Sequence, residues 1–324
     1  MKLRTEIEPL DHKGRINHGT SIFLIGSCFT DTIGARLQDA LFKTNSNPFG
    51  SVYNPASIRL QLERILSMEE FSDKDLVSNN GMFHSFFAHS SHSSVSRHQT
   101  LTSLNNALRD SHLFLKSADV AVITLGSAMV YSRNDSGDIV ANCHKFPSGY
   151  FRRHMLTLDD VRSNLESVRN ILKSFKRDIF LIFTVSPIRY ISDGLHGSQV
   201  SKSLLLLGVD DICHSHPDDC LYFPSYEILM DDLRDYRFYD TDMKHPSGIA
   251  ADYVFDIFSK SFFSNKTIEL SGQCTKLTRR LCHRPLTDNS EAFHKFRTDT
   301  NELVRQFADK HPEIAETIYK RFQL

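Results

Sequence analysis

The sequence predicts an α/β fold with three layers, doubly wound around a mostly parallel sheet and followed by a helical C-terminal extension. Segments that are apolar along their whole length, such as residues 120–125 and 179–183, alternate with segments of helical periodicity. Such strands are typical of parallel sheets that helices cover on both faces. The strand pattern stops near residue 264, which predicts one domain over residues 1–263 and a helical extension over 264–324.

Each predicted element has its own local signal. The apolar runs predict strands over 21–26, 120–125, 178–185 and 221–223. Helical periodicity predicts helices over 32–42, 56–66, 102–115, 158–175, 198–207, 247–262, 291–308 and 312–322. Pro55 supports the second helix, because proline suits a first helical turn. Gly26 and Gly126 each end a strand, and ligands of doubly wound folds bind at such carboxyl ends.

The charge and composition of the chain exclude several classes of partner. The formal net charge is -1, so no strong field favours nucleic acid or an acidic membrane. No apolar run approaches the length of a membrane span, and the N-terminal residues lack the apolar core of a secretory signal. The six cysteines show no CxxC spacing, which indicates free thiols in a reducing compartment. We therefore expect a cytoplasmic protein that needs no cofactor, is compatible with oligomers and acts on a small molecule.

The most informative motif is the junction at residues 23–31, where a buried strand breaks at Gly26 and a helix follows. Ser27 and Cys28 lie at this junction, which presents side chains at the edge of a sheet. Free backbone N–H groups and the helix dipole stabilise a thiolate in such a place, so we expect the Cys28 thiol to be acidified. The structural alternatives are a cysteine that only fills the core and a serine that caps the helix.

A second motif lies at residues 242–246. Asp242 and His245 stand three residues apart, directly before Pro246 and a predicted helix. A histidine in such a loop can act as a general base toward a nucleophile while a carboxylate holds its other nitrogen. The pair therefore predicts a chain of hydrogen bonds from the nucleophile through His245 to Asp242. A loop ion pair or a helix cap beside Ser247 is the structural alternative.

The motifs together resemble the GSCFA family. The residues that carry the resemblance are 26–30, 47–55 and 233–247, within a match over roughly 20–262. That family is bacterial and is related to the SGNH (GDSL-like) esterases and acyltransferases, whose sheet is flavodoxin-like. The resemblance implies Cys28 as nucleophile, His245 as base and Asp242 as the residue that orients His245.

The resemblance also implies which residues stabilise the oxyanion. It assigns this role to the N–H of the nucleophile, to Gly50, and to an Asn that follows Gly126. Ala128 stands where that Asn is expected, so Ser127 or Asn142 is expected to supply the missing donor. Loss of one such donor costs on the order of 10²–10³-fold in rate.

Further residues are expected near the site. His89 is expected to line the pocket, and Arg189 to face the substrate from the carboxyl edge of the sheet. His84, His92 and His98 accompany His89 in sequence, but their spacings match no zinc template and no Cys or carboxylate lies between them. We therefore predict no metal site.

These patterns predict an SGNH-like hydrolase or acyltransferase. It would act on an ester, a thioester or an O-acylated small molecule through an acyl group linked to Cys28. Two alternatives remain open from the sequence. One is an esterase that uses Ser27, and the other is a catalytically impaired binding or scaffold protein of the same fold.

Overall fold

The structure is a computed structural model that describes residues 4–283 and 291–322. The strands are β1 (Ser21–Gly26), β2 (Lys43–Ser46), β3 (Val77–Asn79), β4 (Met82–His84), β5 (Val120–Leu125), β6 (Met129–Arg133), β7 (Ile139–Val140), β8 (Phe151–Met155), β9 (Phe180–Val185) and β10 (Cys220–Tyr222). The helices are α1 (Cys28–Asp39), α2 (Pro55–Ser67), α3 (Arg97–Leu115), α4 (Leu158–Phe175), α5 (Gly194–Ser215), α6 (Ser225–Glu227), α7 (Gly248–Phe262), α8 (Asn265–Leu281), α9 (Glu291–Lys310) and α10 (Pro312–Phe322).

A five-stranded parallel sheet with the order β10-β9-β5-β1-β2 forms the centre of the structure. Along the chain this is the flavodoxin-like order, in which the winding direction reverses between β1 and β5. Ligands of such sheets bind at the carboxyl ends of the strands at this reversal point. Cys28 follows β1 and Gly126 follows β5, so both lie at that edge.

Helices cover both faces of the sheet, which confirms the predicted three-layer α/β architecture. Alternate residues of β1 point to opposite faces. Phe23 and Ile25 belong to the core formed with α2, α3, α4 and α5. Ile22 and Leu24 belong to the core formed with α1 and α7. All four side chains are fully buried, as expected for a strand in the middle of a parallel sheet.

The sequence missed elements that lack an apolar run. The edge strand β2 has the sequence Lys-Thr-Asn-Ser, and its four residues are only half-buried. The short antiparallel sheets, β3-β4 and β7-β6-β8, are equally weak in apolar character. The helix α8 is largely polar and was not predicted. Helix α1 begins at Cys28 rather than at residue 32, which places the thiol in its first turn.

The C-terminal helices α8, α9 and α10 form a small core of their own, which Leu41 at the end of α1 joins. The predicted domain boundary at 263/264 stays a prediction. Residues 1–3 of the predicted first domain, and residues 284–290 and 323–324 of the predicted extension, lie outside the described residues. No helix in the described ranges is long and apolar enough to cross a membrane.

Candidate active site

The turn between β1 and α1 depends on Gly26. Its φ is +144°, and a Cβ there would lie 2.1 Å from the carbonyl oxygen of Thr124 on the neighbouring strand. Only glycine allows the two backbones to come this close. The N–H of Ser27 donates to the same Thr124 oxygen at 3.1 Å. These contacts lock the chain immediately before Cys28.

Ser27 occupies the N-cap position of α1, but its hydroxyl makes no capping hydrogen bond. The side chain is fully buried, and its Oγ has no hydrogen-bond partner among the described residues. His245 contacts Cys28 instead (below). The structure therefore offers Ser27 no base and no access to solvent.

Cys28 is the first residue of α1 and is half-buried. Burial raises the pKa of its thiol, and the nearby carboxylate of Asp31 raises it further. The N–H groups of Cys28 and Phe29 and the ammonium of Lys202 oppose this shift. The expectation of an acidified thiol was therefore wrong, because desolvation outweighs the amides of the helix terminus. A buried thiol of this kind needs a base to take its proton.

The loop that carries His245 is a tight turn. Tyr239 and Pro246 form an antiparallel bridge across it, and the N–H of Asp240 donates to the carbonyl of His245 at 2.8 Å. Met243 adopts a φ of +57° at the tip. Ser247 then caps α7 by accepting the N–H of Ala250. The bridge at the base of the loop and the start of α7 thus anchor both ends of the loop, and this holds the imidazole in place.

Cys28, His245 and Asp242 form a continuous hydrogen-bonded chain. The Sγ of Cys28 lies 3.7 Å from Nε2 of His245, and Nδ1 of His245 lies 2.6 Å from a carboxylate oxygen of Asp242. The other Asp242 oxygen accepts the N–H groups of His245 and Lys244 at 3.0 and 2.9 Å. These hydrogen bonds hold the pKa of Asp242 well below its usual range. An ionised Asp242 favours a proton on Nδ1 and leaves Nε2 free to accept the thiol proton.

A polar network ties the loop before α2 to α1, the helix that begins at Cys28. The Nδ2 of Asn47 and the hydroxyl of Ser51 donate to the two carboxylate oxygens of Asp31, at 2.7 and 2.6 Å. The Oδ1 of Asn47 accepts the N–H of Gly26 at 2.8 Å. Because Asp31 lies one turn after Cys28, this network fixes the 47–51 segment against the thiol.

Gly50 is close to this network, but its N–H is already used. It donates to the carbonyl of Asn47 at 2.7 Å and closes a turn. This contradicts the expected use of that N–H for the oxyanion, because one N–H cannot serve both acceptors well. Gly50 has a φ of +82°, and a Cβ there would lie 2.2 Å from the Cβ of His89. The close contact places His89 against this wall, and its Nδ1 accepts the N–H of Ser91.

Ser127 and Asn142 each make other hydrogen bonds. The Oγ of Ser127 is buried against α5, where it lies 3.2 Å from the hydroxyl of Ser201 and accepts the N–H of Met129. The Oδ1 of Asn142 accepts the N–H of His144 within its own loop. These contacts do not involve Cys28, and the role of Ser127 or Asn142 as the missing donor stays a prediction.

Gly126 packs against Tyr190, which follows β9. A Cβ at Gly126 would lie 2.6 Å from the hydroxyl oxygen of Tyr190 and 3.2 Å from the Cβ of Ser27. The Tyr190 hydroxyl is buried without a hydrogen-bond partner in the described part of the chain. Burial raises the pKa of Tyr190 well above its usual value, and proximity to Cys28 raises it further. The hydroxyl therefore stays protonated and can donate a hydrogen bond.

Comparison with known proteins gives one decisive match. A model of the GSCFA family matches residues 21–258, a range that contains Cys28, Asp242 and His245. The chain belongs to the GSCFA family. No curated protein matches it.

Two solved structures are distantly similar to this GSCFA protein. A GDSL-like lipase from Bacteroides thetaiotaomicron is 11% identical with a TM-score of 0.39, over 75% of this chain and 88% of that one. A Clostridium thermocellum family 3 carbohydrate esterase is 10% identical with a TM-score of 0.38, over 79% of this chain and 98% of that one. A likeness of this size assigns no activity to this GSCFA chain.

The GSCFA site also contains a buried lysine that sequence reasoning missed. Lys202 on α5 is 2% exposed, and its ammonium donates to the carbonyls of Gly126 and Ser186 at 2.7 and 2.5 Å. These carbonyls follow β5 and β9, so Lys202 bridges the ends of two strands. Burial lowers the pKa of Lys202 to about 7. A lysine on the apolar face of a predicted helix was the available signal, because lysine is almost never fully buried without a specific partner.

The remaining sequence candidates of this GSCFA chain, Arg189 and the histidines of residues 84–98, make the following contacts. Arg189 lies beside the His245 loop, where its N–H donates to the carbonyl of Lys244 at 3.2 Å. His84 stacks on His144 with ring centres 4.5 Å apart, and His92 bonds to Ser103. Within residues 4–283 and 291–322, no three potential ligands form a cluster that could hold a metal ion.

Proposed function

We propose that this GSCFA protein is a hydrolase or acyltransferase that works through an acyl group linked to Cys28. Its substrate is an ester, a thioester or an O-acylated small molecule. The observation that carries the proposal is the hydrogen-bonded chain from Cys28 through His245 to Asp242. Such a nucleophile–base–carboxylate arrangement is the geometric signature of covalent acyl transfer.

In the first half-reaction, Nε2 of His245 takes the thiol proton while Sγ of Cys28 attacks the acyl carbonyl. A C–S bond forms and the carbonyl oxygen becomes an oxyanion. The bond to the leaving group then breaks, and His245 gives the proton to the departing alcohol or thiol. The products are a free leaving group and a thioester on Cys28. Asp242 stabilises the imidazolium that exists between these steps.

In the second half-reaction, water or another acceptor attacks the thioester. His245 takes the proton of the attacking group, a C–O bond (a C–N bond for an amine acceptor) forms, and the C–S bond breaks. The thiolate then recovers the proton from His245. Water gives hydrolysis, whereas a hydroxyl or amine acceptor gives transfer, because thioesters react with all three.

The raised pKa of Cys28 fits this general-base route. A protonated resting thiol reacts only when His245 removes its proton, so attack and proton transfer are coupled. The 3.7 Å contact between Cys28 and His245 also favours an enzyme over a scaffold protein. The buried, unpartnered hydroxyl of Ser27 favours Cys28 over Ser27 as nucleophile.

Two groups serve as oxyanion donors in this proposal. The first is the N–H of Cys28, which is free because the first turn of a helix leaves its N–H groups without intrahelical partners. The second is the hydroxyl of Tyr190, which is buried beside Gly126 and has no partner in the described ranges. Tyr190, which follows β9, would thus supply the hydrogen bond that an Asn in place of Ala128 was expected to donate.

Intact-protein mass spectrometry after exposure to a panel of acyl esters and thioesters tests the nucleophile. We expect an acyl adduct on the wild type and on Ser27→Ala, and none on Cys28→Ala or His245→Ala. Cys282→Ala is the matched control, because Cys282 is an exposed thiol far along the chain that could react non-specifically. An adduct of equal amount on Cys28→Ala would contradict the proposal, as would its loss from Ser27→Ala.

Replacement of Tyr190 with Phe tests the side-chain donor. We expect kcat to fall by about 10²-fold with KM little changed, because the hydroxyl acts on the transition state. The free energy of unfolding should stay the same or rise, because the variant removes a buried hydroxyl that has no partner. Steady-state kinetics and chemical denaturation measure the two effects. An unchanged kcat would remove Tyr190 from the mechanism.

A further inference from the structure

A small cavity lies beside the loop that carries His245. Its volume is about 120 Å³, and its walls include Arg189, Leu195, Gln199, Lys202, Tyr226 and Met230. Two contacts connect it to the site. The N–H of Arg189 donates to the carbonyl of Lys244, next to His245, and the charge of Lys202 acts on the thiol of Cys28.

The cavity carries the positive charge of Arg189 and the amine of Lys202, whose pKa burial lowers to about 7. The guanidinium of Arg189 lies over the rings of Tyr236 and Tyr239, at 5.6 and 5.5 Å, and has no carboxylate partner in the described part of the chain. The ammonium of Lys202 donates to two backbone carbonyls, which carry no net charge. None of the described residues that line the cavity is acidic.

Acidic groups of the neighbouring segments are already engaged. Asp193, directly before α5, forms an ion pair with Arg153. Glu227 accepts the hydroxyl of Tyr222 at 2.7 Å, and Asp231 lies 3.9 Å from Arg234 on the surface. The hydroxyl of Tyr226 donates to Gln199 at 2.6 Å, which leaves the Gln199 amide N–H groups available. The cavity therefore combines the planar cation of Arg189, the buried amine of Lys202 and an amide donor.

We infer that this cavity binds an anionic group of the substrate, a carboxylate or a phosphate, while the acyl carbonyl lies at Cys28. This inference rests on the proposed function and adds the class of substrate. Arginine matches both anions through two parallel N–H···O bonds. The volume of about 120 Å³ is sufficient for a small anionic group.

Isothermal titration of the full chain with succinate and with inorganic phosphate tests the site without any turnover. We expect at least one of the two to bind the wild type, with the affinity lowered about tenfold or more in Arg189→Gln and partly restored in Arg189→Lys. Arg237→Gln is the matched control, because Arg237 is an exposed arginine of the neighbouring loop. Binding of neither anion to the wild type, or equal binding to Arg189→Gln, would overturn the inference.

A kinetic comparison distinguishes the two sources of the anion. In the first pair, a succinyl and an acetyl thioester with the same leaving group, only the succinyl thioester carries a negative charge on the acyl side. In the second pair, the acetyl esters of an alcohol with and without a phosphate group, the charge lies on the leaving group. The ratio of kcat/KM between the charged and the neutral substrate should fall in Arg189→Gln for one of the two pairs. Anion binding without an acyl adduct would contradict the proposed function alone. An adduct with no anion effect would contradict this inference alone.

Discussion

Replacement of His245 with Gln is expected to lower kcat/KM for acyl substrates by on the order of 10³-fold. Glutamine cannot accept and return a proton, so the buried thiol of Cys28 would remain protonated. The fold should be preserved, because the His245 side chain is 47% exposed and its polar contacts are with Cys28 and Asp242. Steady-state kinetics and circular dichroism measure the two expectations.

The control for this variant is His214→Gln, which changes an exposed histidine near the end of α5. It should retain wild-type kinetics. An additional variant, Asp242→Asn, removes the carboxylate that orients the imidazole and should reduce kcat with less effect on KM. Near-normal turnover of His245→Gln would end the proposal of a general base at this position.

Replacement of Gly26 with Ala is expected to give the largest loss of stability in the chain. A Cβ at this position would lie 2.1 Å from the carbonyl oxygen of Thr124, so β1 or β5 would have to move in the centre of the sheet. The φ of +144° adds strain for any residue other than glycine. We expect the free energy of unfolding to fall by more than about 4 kcal/mol, or no soluble protein to be obtained.

Gly137→Ala separates the two causes of this loss. Gly137 also has a positive φ, +79°, but a Cβ there would meet nothing within 4 Å. It should cost only the backbone strain, about 1–2 kcal/mol. Chemical denaturation of both variants gives the comparison. If Gly26→Ala were no less stable than Gly137→Ala, the close approach of β1 and β5 would not be what excludes a side chain at position 26.

The predictions for His245 and Gly26 both concern Cys28: His245 contacts its thiol, and Gly26 lies in the turn before it. Gly26 brings β1 so close to β5 that the chain must turn at Ser27, and the turn places Cys28 at the start of α1. The network from Asp31 to Asn47 and Ser51 then fixes the neighbouring loop. A nucleophile held on a rigid element in this way is positioned more accurately than one on a free loop.

The sheet could be predicted because its inner strands are apolar along their whole length. Residues 120–125 and 180–185 form β5 and β9, with every residue buried, and helix α4 spans the predicted 158–175. The edge strand β2 could not be predicted, because its pairing with β1 comes from backbone hydrogen bonds rather than from apolar side chains. The helix α8 was missed because its sequence is largely polar, and even its buried residues include Thr267, Ser271 and Thr278.

The sequence by itself determined the α/β class, the turn at Gly26 and the motif around His245, because each depends on local pattern. Only the tertiary structure placed Cys28 3.7 Å from His245, across a separation of 217 residues. It also decided that the Gly50 N–H is used in a turn, that Ser127 faces α5, and that Lys202 bridges the ends of β5 and β9. The sign of the Cys28 pKa shift was decided in the same way. Distance and desolvation depend on which segments pack together, and neighbours in space are not neighbours in sequence.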